Sequence, residues 1–356
     1  MSANDRVRLA GGPTLVGVAF VLGGLVAAVV PTRREYDEET DRLPANAYTL
    51  AYLEMLTRAN PRDAHTRGAY VRRLSALGEY DAALAVLDRG ADRDTPANAH
   101  LGFDLALARA RSFPEGAPER AKAFGDVISR LEALASRPAD AARTRELANL
   151  SLELERPALA VVFLERLAGQ VPADDRPQVL AEAARWMRAS GDNKGAAEAY
   201  LRAADLEADP TKSRDLTLSS IDSLEAANRV EEAADLATGT AARHPDDALF
   251  VQRAVHLAIA ANRPMIARDW GRALLALRGD DEAETEAQAR RELAAGDPKA
   301  ALPLVERIVA RRPDDTGWRE VEARVAEWAG DPARALTDWL WLMQHGAASP
   351  EPRALP

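Results

Sequence analysis

Catalysis needs side chains that can move a proton, attack a carbon or hold a metal, and this chain has few of them. Among 356 residues there is no cysteine, and the five histidines (His65, His100, His244, His256 and His345) show no pair at metal-ligand spacing. Thiolate nucleophiles, disulfides and cysteine-held zinc or iron–sulfur sites are excluded. There is no H-E-x-x-H, and no glycine-rich phosphate loop outside an apolar stretch near the N-terminus. Acidic neighbours such as Asp246 with Asp247 and Asp280 with Asp281 follow from having 56 acidic residues, and they read as solvated loops. The expectation is a protein that is not an enzyme and holds no cofactor. A net charge of -10 repels phosphate backbones, so nucleic acid is not expected as a partner. What remains is the chemistry of binding. Trp318, Trp328, Trp339 and Trp341 are four of the six tryptophans, gathered in the last part of the chain. Aromatic anchors of this kind dominate protein interfaces, and Trp328 and Trp341 are the candidates for such use.

The elements that must position these residues are written in a repeat. ALGEYDAALAVLD at 76 returns in altered form at 153, 190, 227, 261, 295 and 329, where the last copy reads AGDPARALTDWLWLM. Each copy carries one turn residue: Gly78, Glu155, Gly191, Asn228, Asn262, Gly296 and Gly330. Their spacings are 77, 36, 37, 34, 34 and 34, the first being two periods with an insertion. Glycine or asparagine takes the left-handed conformation that ends a helix, and Glu155 is the exception among the seven. Asp and Pro then follow in most copies, an N-cap and a first-turn proline that start the next helix. Five residues after every turn stands alanine (Ala83, Ala160, Ala196, Ala233, Ala267, Ala301 and Ala335), small enough to let two helices come close. Leu87, Leu164, Tyr200, Val305 and Trp339, one helical turn later, give the second helix an apolar stripe. Pro172, Pro245 and Pro313, with Pro96 and Pro210, are expected to stop the second helices.

A helix–turn–helix unit of about 34 residues with these features resembles the tetratricopeptide repeat family over roughly residues 64–345. The resemblance implies an all-α fold, a right-handed solenoid of about eight tetratricopeptide-type hairpins; the uncharged run at 9–30 adds an N-terminal transmembrane helix before it. The hairpins would begin near Ala64, Asn98, Ala141, Pro177, Arg214, Ala248, Glu282 and Thr316. In such stacks the first helices line a concave groove. The positions that would face it include Arg145, Asn149, Arg185, Arg188, Arg290 and Arg324, interspersed with Asp222, Glu225, Gln252, His256, Glu286 and Glu320. Arg145 and Asn149 could begin a clamp for C-terminal carboxylates, but it would need an asparagine and two basic residues where Glu182, Asp215 and Ser219 stand, so that mode is rejected.

The flanks organise the rest. Residues 1–8 form a short basic tail, and residues 9–30 carry no charge, long enough as a helix to cross a bilayer. An uncleaved inner-membrane anchor with the soluble part in the periplasm is expected. Residues 31–45 read as an acidic linker, 46–63 as a capping helix with Tyr48, Tyr52, Leu53 and Leu56 on one face, 64–348 as the repeats and 349–356 as a proline-rich tail. The stretch LPANAYTLAYLEMLTRANPRDAHTRGAYVRRLSALGEYDAAL, with the closing EWAGDPARALTDWLWLM, is similar to the periplasmic repeat region of the Pel exopolysaccharide export family. That resemblance implies a scaffold in polysaccharide export and biofilm formation. Its expected partners are a periplasmic polysaccharide-modifying enzyme, an outer-membrane barrel and a cationic polysaccharide. The chain departs from the family in carrying no barrel-like strands after the repeats. A tethered repeat protein of cytochrome maturation or envelope-protein quality control is the alternative, and an enzyme on a helical-hairpin toroid a further one.

Overall fold

A computed structural model describes residues 44–279 and 281–345. Among them the regular structure is entirely helical, with seventeen α-helices, one short 3-10 helix at Ala173–Asp175 and no strand. The expected anchor at 9–30, most of the linker and the tail lie outside the described residues, and no described helix is long and apolar enough to cross a membrane. The chain divides into two compact units between Glu155 and Arg156. The first holds α1 (Ala47–Ala59), α2 (Ala64–Ala76), α3 (Tyr80–Asp88), α4 (Pro96–Ser112), α5 (Pro118–Leu134) and α6 (Ala141–Glu153). The second runs from α7 (Pro157–Ala168) through α8 (Arg176–Ala189), α9 (Asn193–Leu206), α10 (Pro210–Ala226) and α11 (Val230–Arg243). It continues with α12 (Ala248–Ala260), α13 (Pro264–Arg278), α14 (Glu282–Ala294), α15 (Pro298–Arg311), α16 (Thr316–Ala329) and α17 (Pro332–Gln344). Within the second unit each helix packs on the next one in sequence.

The turns explain the hairpins. All seven turn residues have positive φ, Glu155 (57°), Asn228 (57°) and Asn262 (55°) among them, so the backbone step is kept even where glycine is absent. At six of them the following N–H donates to the carbonyl five residues back, as in Glu79 to Leu74 (2.9 Å), Arg229 to Leu224 (2.8 Å) and Asp331 to Ala326 (2.8 Å). These bonds satisfy carbonyls that the helix end would otherwise leave open. The next helix is then opened by aspartate caps, with Asp192, Asp297 and Asp331 accepting from first-turn N–H groups.

The alanine after each turn is buried in every copy. So is the residue eight places before each turn, namely Tyr70, Leu147, Ala183, Ser220, Ala254, Gln288 and Glu322. The latter series grows polar toward the C-terminus. Two apolar clusters form there, one from Ala197 to Leu274 and one from Ala289 to Val325. Between them the α13–α14 contact is ionic: Arg272 forks onto Glu292 (2.6 and 2.7 Å), and Arg278 and Arg291 both bond Glu284 (2.9 and 2.7 Å). Buried Gln288 donates to Glu292 (2.8 Å) and to the Arg268 carbonyl (3.1 Å). A Cβ at Gly271 would collide with the Gln288 side chain, so the larger residue on α14 is matched by the smallest on α13.

Three expectations are corrected. Of the face expected on α1, Leu53 is buried, but Tyr48 and Tyr52 point to solvent and Thr49 is buried in their place, because the side that meets α2 is turned one residue from the aromatic one. Pro96 and Pro210 do not merely stop helices; each is the first residue of the next, where its missing N–H costs nothing. The hairpin expected near Arg214 therefore begins at Pro210, capped by Asp209.

Ala301 sits in the second cluster with Val305 and Val325. Ala301→Leu is expected to overpack it and lower stability by about 1–3 kcal/mol. Urea unfolding followed by circular dichroism measures this, and an unchanged midpoint would contradict the assigned register.

Candidate functional site

Hairpins stacked through small residues leave clefts between their first helices wherever side chains do not fill the space. One cleft lies between α14 and α16, has a volume of about 530 Å³, and is walled by Leu293, Pro298, Trp318, Val321 and Trp328. Trp328 stays 52% exposed beside it. A second cleft, of about 400 Å³, lies beside it on α14, walled by Ile259, Pro264 and Ala287. Arg290 and Ala294 line both, so the two clefts share one wall. Ile259 in the second cleft's wall is half exposed. The result is a largely apolar strip along the hairpin turns, edged by Arg263 and Arg291 on the second cleft, with Arg290 in the shared wall: its guanidinium lies 5.7 Å above the Trp318 ring and 3.9 Å from Glu286. A cation over an indole face is held by the ring quadrupole, which fixes Arg290 without neutralising it.

The other candidate residues fall in different places. Arg145 (half buried) and Asn149 (exposed) are on α6 in the first unit. Arg185 and Arg188 line a cleft of about 550 Å³ with Tyr200 and Asp215, the Arg188 guanidinium 6.0 Å from the Tyr200 ring. Arg324 bonds Glu320 on its own helix (2.6 Å). Trp341 is covered from two sides, by the Arg319 guanidinium at 4.8 Å and by the stacked His345 ring at 4.0 Å. Trp339 is half buried and donates from Nε1 to Glu327 (2.9 Å). Of the two tryptophans singled out from the sequence, Trp328 is therefore the open one.

Sequence reasoning missed two features. Arg253, on α12, pairs with Asp222 and Glu225 of α10 and neutralises carboxylates assigned to an open groove. The signal was there, since the first helices of adjacent hairpins run side by side and their polar faces meet at one repeat's offset. The second is a buried ion cluster in the last hairpin. Glu322 and Asp338 are both buried; Arg334 bonds Glu322 (2.6 Å) and Arg319 bonds Asp338 (3.1 Å). Asp338 stands 34 residues after Leu304, and a charge at an apolar register position could have flagged it.

No protein-family model matches the chain, and no curated protein matches it. Solved structures that resemble it include the MamA protein, with 15% identity, 51% of this chain and 99% of that one covered, and a TM-score of 0.34. A tetratricopeptide repeat protein from Parabacteroides merdae ATCC 43184 has 15% identity over 57% of this chain and 79% of its own, at a TM-score of 0.33. The P58(IPK) TPR domain has 13% identity over 87% and 91%, at a TM-score of 0.24. At these values the assignment of helical hairpins rests on the turns and packing described above.

Burial holds the Glu322 carboxyl above the usual carboxylate range, opposed by the Arg334 hydrogen bond and reinforced by the Asp338 charge. The charges of Arg334 and Arg319 act downward. The folded state thus binds this proton more tightly than the unfolded chain. Its contribution is complete below the unfolded value near 4.5 and declines as pH rises through the folded one. Glu322→Gln is expected to flatten the loss of stability with rising pH in that window, measured by urea unfolding at several pH values. Identical slopes for parent and variant would contradict it.

Proposed function

Taking the chain as an array of tetratricopeptide-type hairpins, we propose that it is a membrane-anchored periplasmic scaffold that binds protein partners through the apolar cleft around Trp318, Arg290 and Trp328. The observation that carries this is Trp328, a large aromatic half exposed at the mouth of an unfilled apolar cleft. An indole placed so gains most of its burial when a partner covers it. In this proposal the repeats form a right-handed solenoid of about eight hairpins over 64–348, held by a transmembrane helix at 9–30 through the linker at 31–45 and capped by 46–63.

The narrower role we propose is exopolysaccharide export of the Pel type. It is supported by the resemblance of the stretches around Tyr48–Leu84 and Glu327–Met343 quoted above, and by an acidic balance suited to a cationic polymer. The partners would then be a periplasmic polysaccharide-modifying enzyme, an outer-membrane barrel and a cationic polysaccharide. Capture with the full-length protein from envelope extracts tests this. A carbohydrate-active enzyme in the captured material is the expected result, and apocytochrome or envelope folding factors in its place would contradict the export role.

Two measurements follow. Trp328→Ala is expected to weaken binding of the captured partner roughly thirtyfold, about 2 kcal/mol, with the helical signal unchanged. Equal binding by a folded variant would move the interface elsewhere. Mass spectrometry of the mature protein is expected to find the N-terminus ahead of residue 9; a chain beginning after Ala27 would remove the anchor.

A further inference from the structure

The ridge between the two clefts is one face of α14. Arg290 and Ala294 lie a turn apart on it and line both clefts, whereas Ala287 and Arg291 line only the second and Ala289 and Leu293 only the first. Three guanidinium groups edge the pair, and they differ in what holds them. Arg263 bonds Asp235 at 2.5 Å and pairs with Glu231 as well, and Arg291 bonds Glu284 at 2.7 Å. Arg290 is held by no such bond. Its ion-pair partner among the described residues, Glu286, stands 3.9 Å away, beyond hydrogen-bond distance, and is itself bound by Arg312 at 2.9 Å. The Trp318 ring, 5.7 Å from the guanidinium, fixes the side chain without supplying an acceptor to its N–H groups. Half of the Arg290 side chain is exposed. Across α14 the strip therefore reads apolar, open cation, apolar.

We propose that this strip receives an acidic amphipathic helix of a partner protein, with two apolar side chains seven residues apart and a carboxylate three residues after the first. The proposal rests on the docking role given to the clefts above and adds the chemistry of what docks. Charge selects the occupant. A carboxylate laid on the ridge meets the open Arg290 guanidinium, and a planar fork of N–H donors suits it. A lysine or arginine there would find no carboxylate free to take it, because Glu231, Asp235, Glu284 and Glu286 are each paired with an arginine of this chain. Spacing selects the shape. The clefts flank a single helix, so their centres are separated by ~10 Å, the distance between packed helices. Residues i and i+7 of an α-helix share a face about 10.5 Å apart, with i+3 midway between them. Same-face residues of a strand stand about 7 or 13 Å apart and match the clefts less well.

Fluorescence anisotropy of labelled peptides with the full-length protein in mild detergent tests it. The first peptide is an alanine-based helix of about 18 residues, with two leucines seven apart and a glutamate three after the first leucine. The second has lysine in place of the glutamate, and the third sets the leucines five apart, on different faces. The parent is expected to bind the first roughly tenfold tighter than either of the others. Arg290→Glu is expected to reverse the preference between the first two. Circular dichroism checks folding, and Arg290→Gln, expected to bind the first two alike, replaces a glutamate variant that loses helix. Equal binding of the glutamate and lysine peptides by the parent overturns the proposal. So does a preference that survives the change at Arg290, equal binding of the respaced peptide, or a parent that binds none of the three. Trp328→Ala separates this proposal from the docking role beneath it. Peptides bound without regard to charge, with the captured partner lost in that variant, overturn the helix chemistry and leave the cleft as the docking surface. Captured partner and glutamate peptide both bound as tightly as by the parent overturn the docking role and the proposal with it.

Discussion

Two helices joined by a short turn pack closely when the chain reverses through a left-handed step and a methyl group, not a longer side chain, lies where the helices cross. Within the second unit the rest of the packing depends on that pair of conditions. The left-handed step recurs at all seven turns and alanine follows five residues later, buried each time. The step is costly for residues with a Cβ, on the order of 1–2 kcal/mol, yet Glu155, Asn228 and Asn262 adopt it. At Asn228 and Asn262 the N–H of the next residue reaches the carbonyl five back at 2.8 Å, a bond that supports the strained residue from outside. With the hairpin fixed, the first helices are held near one another, and the clefts along α14 are the space their small residues leave.

The same constraint explains where polar groups are buried. The position eight residues before the turn is enclosed by its neighbours in every copy, and in most copies an apolar or small residue fills it. Gln288 and Glu322 break that rule, and each brings a compensating set: Gly271 with Arg272 and Arg291 around Gln288, and Arg334, Arg319 and Asp338 around Glu322. Buried ionic layers contribute less to stability than well-packed apolar ones, but they tolerate few alternative pairings. Here such a layer separates two apolar clusters, so the α13–α14 junction is matched by charge and the junctions on either side by shape.

Turns, the small alanine and helix starts such as Ala141, Ala248, Glu282 and Thr316 were legible in the sequence because they are local: a residue type at fixed distance specifies each. What failed was also physical. On α1 periodicity grouped the tyrosines with Leu53, but only Leu53 is buried, since the side that meets its neighbour is turned slightly away from the aromatic one. Pro96 and Pro210 were assigned to helix ends because a proline before a helix and one after it look alike until the cap is seen. Of the site, the openness of Trp328 was half legible. The covering of Trp341 by Arg319 and His345, and the pairing of Arg253 with the next hairpin's carboxylates, depend on distances between helices that spacing does not encode.

The α14–α16 cleft is the docking surface in this reading, and the exposed side of α15 at Arg307 lies outside it. A photoreactive amino acid placed at Val321 in the cleft, and separately at the exposed Arg307 on α15, tests this in living cells. The account predicts a discrete crosslinked protein from position 321 and none from 307. Crosslinks from 307 alone, or the same products from both positions, would contradict it.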